Sequence, residues 1–282
     1  MADKPGTFVF YEYKPSMVAA VIFIAGFSIS VSVHVVQLAR RRTWFMIPFT
    51  LGCLFEGVGF VGRAMSSNEY PDFTKNPYII QSTLLLLGPT LLAASIYMVL
   101  GRLIRLLGAD SHSLIRPKWL TKVFVLGDVL SFLAQGGGAG ILTQAKTTED
   151  VKRGENIITG GLCIQILFFG FFMVVTLVFH MRMLKRPTKG LYRVNVPWQQ
   201  LLWVLYISSA LIMTRSLYRV AEYVTGDGSV LKSKESYLYC LDALPMLLVA
   251  LTYNVYHPSK VLLEDGTDCE SLASLDAFGP GV

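Results

Sequence analysis

Residues 79–107 read IIQSTLLLLGPTLLAASIYMVLGRLIRLL. No charged side chain interrupts this stretch before Arg102, so its first 23 residues are uncharged. As an α-helix rising 1.5 Å per residue they extend about 34 Å, enough to cross a hydrocarbon core of about 30 Å. Six further apolar runs reach the same length: Met17 to Leu38, Trp44 to Met65, Leu120 to Thr143, Glu155 to Met181, Trp198 to Glu222 and Tyr237 to Tyr256. The links between them are short and marked by breakers: Pro71 and Pro77, Arg116-Pro117, Pro187, Pro197 and Gly226-Asp227-Gly228. The expected fold is therefore all-α, a bundle of seven transmembrane helices over residues 17–258. A polar segment, 1–16, precedes it, and an acidic tail, 259–282, is expected to be disordered.

The composition agrees with a membrane domain. Of 282 residues 53% are hydrophobic and only 16% charged, against about 25% charged in soluble domains. A net charge of +6 spread over so apolar a chain is no polybasic face, which excludes a nucleic-acid partner. Cys53, Cys163 and Cys240 lie in apolar runs and Cys269 in the tail, so no disulfide framework is readable.

Lysines and arginines in short links resist translocation, which orients the bundle. The first link carries Arg40, Arg41 and Arg42; the third and its flanks Arg102, Arg105, Arg116, Lys118 and Lys122; the fifth Arg182, Lys185, Arg186, Lys189 and Arg193. The even links are poorer in bases. The N-terminus is therefore expected outside and the C-terminus in the cytoplasm, with the plasma membrane as the expected location. Asp3, Lys4, Glu12 and Lys14 ahead of the first run do not resemble a cleavable signal.

A second set of charges lies inside the helices, where each costs about 2.5–3.5 kcal/mol on insertion scales. Glu56 and Arg63 share one face of the second run, two turns apart, and Asp128 and Gln135 repeat that spacing in the fourth. Arg215, Arg219 and Glu222 form one stripe of the sixth. Glu235, Tyr239 and Asp242 do so at the seventh, and Gln81, Tyr97 and Gln165 add neutral polar groups. Most of these converge in the outer half, with Asp128 and Tyr97 deeper. One reading is an ion-pair network that locks the bundle, in which Glu56, Asp242 and Asp128 neutralise Arg63, Arg215 and Arg219. The other is a cavity opening outward or laterally to the outer leaflet, whose charges bind a headgroup while apolar walls hold a tail. Pro89, Pro245 and the glycines 136, 137, 138 and 140 free backbone groups or permit close approach.

Other chemistries find little purchase. The histidines are His34, His112, His180 and His257, each isolated in sequence. The expected orientation puts all four near the cytoplasmic side. A zinc site from His34, His180 and His257 with Asp128, serving a metal-dependent membrane lipid hydrolase, is therefore conceivable as a further alternative, although single histidines at helix ends are more often interfacial. The seventh run has no lysine for a retinal Schiff base, and no Walker loop occurs. No cofactor and no enzymatic activity are expected.

These residues resemble the fungal RTA-like proteins, also called the lipid-translocating exporter family. The likeness runs from Tyr11-Glu-Tyr-Lys-Pro-Ser16 through Glu56-Gly-Val-Gly-Phe-Val-Gly-Arg63, Gln81 and Gly88-Pro-Thr-Leu-Leu-Ala-Ala-Ser-Ile-Tyr97. It continues through Asp128, Gln135-Gly-Gly-Gly138 and Gln165 to Arg215-Ser-Leu-Tyr-Arg-Val-Ala-Glu222, Glu235, Tyr239, Asp242 and His257-Pro258. Two departures are the lack of any Asn-x-Ser/Thr acceptor and Gly88, where alanine is common. The resemblance implies a seven-helix exporter or translocator of lipids or amphipathic toxic compounds, sphingoid base-like or sterol-like, contributing to lipid homeostasis or drug resistance. Its partners would be membrane lipids and an amphipathic substrate. A seven-helix lipid receptor or sensor is the alternative of a different class.

Overall fold

The structure, a computed structural model, describes residues 13–70, 73–145, 147–188, 190–191, 197–225 and 229–262. The described residues contain seven helices long and apolar enough to cross a membrane and no strand. They are α1 (Met17–Arg41), α2 (Ile47–Asn68, reached through a 3-10 turn at Trp44–Met46), α3 (Lys75–Leu106), α4 (Pro117–Gln144), α5 (Thr148–Lys185), α6 (Trp198–Thr225) and α7 (Glu235–Leu262). The count and order match the seven expected spans. The ends extend further in several places: α5 begins at Thr148 because Thr147 and Asp150 form a reciprocal capping box. Past Pro258, Ser259–Leu262 makes one more helical turn with Val261 fully buried. The expectations for residues 1–12, for Lys189, Arg193 and the Gly226-Asp227-Gly228 link, and for the tail from 263 onward lie outside the described residues.

Successive spans run up and down. One end of the bundle, the first end, gathers the starts of α1, α3, α5 and α7 with the ends of α2, α4 and α6. The other gathers Arg40, Arg41, Arg102, Arg105, Arg116, Lys118, Arg182 and Lys185 and is the basic end. Residues such as Val18, Ile22, Ile29, Leu133, Leu167 and Trp203 face outward and are more than half exposed, as a lipid-contacting surface requires. Phe49, Tyr97, Phe124, Phe169, Phe172, Phe179 and Tyr253 build the interior. A smaller apolar cluster of Leu142, Ile158 and Leu162 closes the first end of α4 and α5.

Small residues set the helix spacing. A β-carbon at Gly52 would sit 2.7 Å from the Gly88 carbonyl, and one at Gly138 would sit 2.7 Å from the Gly154 carbonyl, so α2–α3 and α4–α5 approach to backbone contact. Gly136, Gly137 and Gly140 meet nothing within 4 Å and serve no such contact. Pro89 stays inside a continuous α3. Pro245 follows a π-helical stretch, Tyr239–Ala243, in α7; proline at 245 cannot donate to the carbonyl four residues back, which favours a widened turn.

Candidate functional site

Arg63 of α2 is fully buried at the first end. Its Nη2 donates to Glu235 Oε1 of α7 at 2.7 Å and to Tyr13 Oη at 2.8 Å, and its Nε donates to Tyr239 Oη at 3.0 Å. The Tyr13 and Tyr239 rings also stand 5.6 and 5.3 Å from the guanidinium carbon. Glu235 in turn accepts the Ser16 backbone N–H, and Ser67 Oγ donates to the Pro15 carbonyl at 2.7 Å. The segment before α1 is thus tied across α2 and α7.

A second set joins α6, α7 and α3. Arg219 grips Asp242 with two bonds, Nε to Oδ1 at 2.9 Å and Nη2 to Oδ2 at 2.6 Å, while its Nη1 reaches Glu222 Oε2 at 3.0 Å. Arg215 Nε lies 2.9 Å from Asp242 Oδ1. Its Nη2 donates to the Leu85 carbonyl of α3. That carbonyl is free because Pro89, four residues on, has no N–H to offer it.

Arg63, Arg215 and Arg219 are therefore matched by Glu235, Asp242 and Glu222. This corrects the pairing expected from sequence, in which Glu56 and Asp128 shared that task with Asp242. Glu56 and Arg63 lie on one face, but seven residues separate them by about 10 Å along a single helix. Their partners must come from other helices. Glu56 feels the charges of Arg215, Arg219 and Asp242, yet its Oε1 is buried with no hydrogen-bond partner among the described residues. Gly88 makes room for it: a β-carbon there would be 2.9 Å from Oε1. Asp128 and Tyr97 are both buried, Tyr97 among the rings of Phe124, Phe169 and Phe172, and neither oxygen of the carboxylate nor the hydroxyl has a hydrogen-bond partner among the described residues.

The glutamines divide. Gln135 Nε2 donates to Ser131 Oγ at 2.6 Å and to Gln165 Oε1 at 3.4 Å, joining α4 and α5. Gln81 is buried on the α2 side of α3, by Gly62. The histidines are dispersed: His34 Nε2 is 3.2 Å from the Ala250 carbonyl, His257 Nδ1 is 2.8 Å from Ser259 Oγ, and His180 Nδ1 is 3.2 Å from Tyr206 Oη. Among the described residues no three His, Cys, Asp or Glu side chains could hold a metal together.

A groove of about 190 Å³ lies between α3 and α4 at the first end, closed at one side by Tyr223 of α6, and the sequence does not foretell it. Gly136 and Gly140 form part of its wall, and none of the charged residues singled out above lines it. The glycines are the available signal, but sequence alone does not distinguish glycines that admit a neighbouring helix from glycines that leave space.

The model of a family described as "RTA1 like protein" matches residues 49–265. The chain is 36% identical to "Protoporphyrin uptake protein 1" of Saccharomyces cerevisiae, over 97% of this chain and 100% of the relative. It is 30% identical to "Probable lipid transporter atnI" of Emericella nidulans, over 92% and 70%. It is also 27% identical to "Sphingoid long-chain base transporter RSB1" of Saccharomyces cerevisiae, over 86% and 72%. No solved structure matches the chain significantly.

Proposed function

The chain is an integral membrane protein that belongs to the RTA1-like family, and from that premise we propose that it translocates lipids or amphipathic compounds, acting as a transporter and not an enzyme. The names of the relatives point to substrates that combine a large apolar body with an ionisable part, whether a sphingoid base or a porphyrin. Glu56 carries the reading. In a bundle whose buried arginines 63, 215 and 219 are each matched to acids, it is a surplus carboxylate with a buried oxygen awaiting a donor. A cationic headgroup such as a sphingoid amine supplies the donor and the charge, while the tail stays in hydrocarbon. The matched pairs around it are a preorganised frame, already assembled without ligand.

The basic end faces the cytoplasm in this reading, so the first end and the N-terminus face outward at the plasma membrane. Asp128 and Tyr97, deeper in the bundle, form a protonatable gate. Transport then contributes to lipid homeostasis or to resistance against toxic amphipaths.

Purified protein in liposomes tests this with a fluorescent sphingoid base whose transfer between leaflets is followed. Glu56→Gln keeps the shape and removes the charge, and should cut the initial rate about tenfold or more, the loss expected when a buried ion-pair partner is deleted. An unchanged rate in folded Glu56→Gln protein would sink the reading. Asp128→Asn should in turn abolish any dependence of the rate on an imposed pH gradient.

A further inference from the structure

The α3–α4 groove has a definite depth. Gly140 and Gly136 precede the end of α4 at Gln144 by four and eight residues, about 6 and 12 Å along the axis. Ser82 and Leu86 follow the start of α3 at Lys75 by seven and eleven, about 10 and 16 Å. The groove thus lies within about 16 Å of the first end of the two helices. Exposed Ile79, Leu133 and Ile141 give its rim an apolar surface, and Lys75 Nζ donates to the Thr143 carbonyl at its outer end.

Its wall is neutral. Leu86 and Phe132 supply apolar surface. Two of its five hydroxyls bond within their own helices, Ser82 Oγ donating to the Ile79 carbonyl and Thr143 Oγ1 to the Gly140 carbonyl; Tyr78, Thr83 and Tyr223 carry the others. At its inner side stands Tyr223, next in the chain to Glu222, which pairs with Arg219. The groove therefore reaches α6 one residue from Glu222, whose own side chain does not line it. It lacks a side chain where a helix would ordinarily place two, at positions 136 and 140.

We propose that this groove is the subsite for the single hydrocarbon chain of the transported amphipath, entered sideways from the outer half of the membrane. The assignment rests on the transport reading above for the identity of its occupant. A slot one side chain deep, neutral along its length and open to hydrocarbon fits an extended alkyl chain. No charged side chain lines it, so the counter-charge for a charged headgroup must come from the network.

The glycines provide a matched test. A β-carbon added at Gly136 or at Gly137 would meet no atom within 4 Å and both positions are exposed, so the backbone bars a side chain at neither, and leucine improves helix propensity at both. Of the two, only Gly136 lines the groove. The probe is a sphingoid base bearing a diazirine on its chain, added to the full-length protein in liposomes and mapped after photolysis, alongside leaflet transfer of the fluorescent base. Wild type and Gly137→Leu should be labelled on the α3 and α4 segments lining the groove, and excess unlabelled sphingoid base should compete. Gly136→Leu should lose that labelling and transfer about tenfold or more slowly, because its side chain displaces several buried methylenes.

Labelling that neither competitor nor Gly136→Leu reduces would mean that bulk lipid alone fills the groove, and overturns the proposal. Equal transfer by the Gly136→Leu and Gly137→Leu variants overturns it as well. Competed, Gly136-dependent labelling in a wild-type protein that transfers nothing would leave the subsite standing and the transport reading overturned.

Discussion

Arg215 of α6 donates to the backbone carbonyl that Pro89 leaves without a helical partner in α3. Leu85 is the acceptor, four residues before the proline. A break in one helix is thereby repaired by a cation from another, and the same guanidinium meets Asp242. Lysine carries its three donors on a single nitrogen and lacks the spread fork with which the guanidinium reaches both acceptors. Arg215→Lys should destabilise the detergent-solubilised protein by about 2 kcal/mol. In a Pro89→Ala background, where the restored backbone N–H at position 89 returns to the Leu85 carbonyl, the same change should cost about 1 kcal/mol less. Equal costs in a double-mutant cycle would show that the proline and the arginine are uncoupled.

Asp242 sits between two arginines and is the acid they share. Asp242→Asn should cost about 3 kcal/mol, since it leaves buried cations short of an anion. Adding Arg215→Met restores the balance by leaving Arg219 with Glu222, so the double variant should denature at higher temperature than Asp242→Asn alone. A double variant that melts lower would contradict a role based on charge matching.

The Arg63–Glu235 pair is asymmetric, with side-chain exposures of 1% and 17%. Glu235→Ala strands a cation that tyrosine hydroxyls and rings still face, whereas Arg63→Ala leaves a carboxylate that keeps the Ser16 N–H and some water. The first substitution should cost about 3 kcal/mol and the second about 1 kcal/mol. Thermal melts of the two variants in one detergent give the order directly.

Gly52 and Gly88 face each other, but their substitutions differ in kind. A β-carbon at 52 meets the Gly88 carbonyl at 2.7 Å, while one at 88 meets the Glu56 side chain at 2.9–3.0 Å and stands farther, at 3.1 Å, from the Gly52 carbonyl. Gly52→Ala should therefore lose about 1–3 kcal/mol by overpacking. Gly88→Ala should stay within about 1 kcal/mol and reveal itself instead as altered transfer of a cationic amphipath, because it displaces the Glu56 carboxyl. Equal melting temperatures of the two alanine variants would refute the distinction.

Burial pushes the Tyr13 hydroxyl above the usual phenol range, against the opposing pull of Arg63. The folded state then holds this proton more tightly than the unfolded chain. The corresponding stability is complete below about pH 10 and is lost as pH rises through the raised value. Tyr13→Phe should remove that part of the alkaline decline in melting temperature, and an unchanged decline would assign it to other groups.

Much of the site is legible in the chain because insertion into a membrane penalises charge wherever it falls. Glu56, Arg63, Arg215, Arg219, Glu222, Glu235 and Asp242 each stand out against an apolar background. Their partners do not. Arg219 and Glu222, three apart on one face, do touch, but Glu56 and Arg63, seven apart, are separated by about 10 Å along the axis, and the remaining pairs join different helices. The π turn at Tyr239–Ala243 adds to this, since it resets the facing of Asp242 in a way no regular 3.6-residue period anticipates. The α3–α4 groove is hidden for a related reason: Gly138 admits the α5 backbone while Gly136 and Gly140 leave space, and the three look alike in sequence.

Seven spanning helices, the gathering of bases at alternate links and a costly second set of charges all follow from the order of residues, because hydrocarbon thickness and charge insertion act on local stretches of chain. The packed bundle alone settles that Glu235 takes Arg63, that Asp242 holds two arginines, that Arg215 repairs the Pro89 break and that Glu56 keeps an unbonded oxygen. Those outcomes depend on which faces of different helices meet. Helix–helix contact is set by side-chain shape and glycine approach across the bundle, over separations in the chain that no local pattern records.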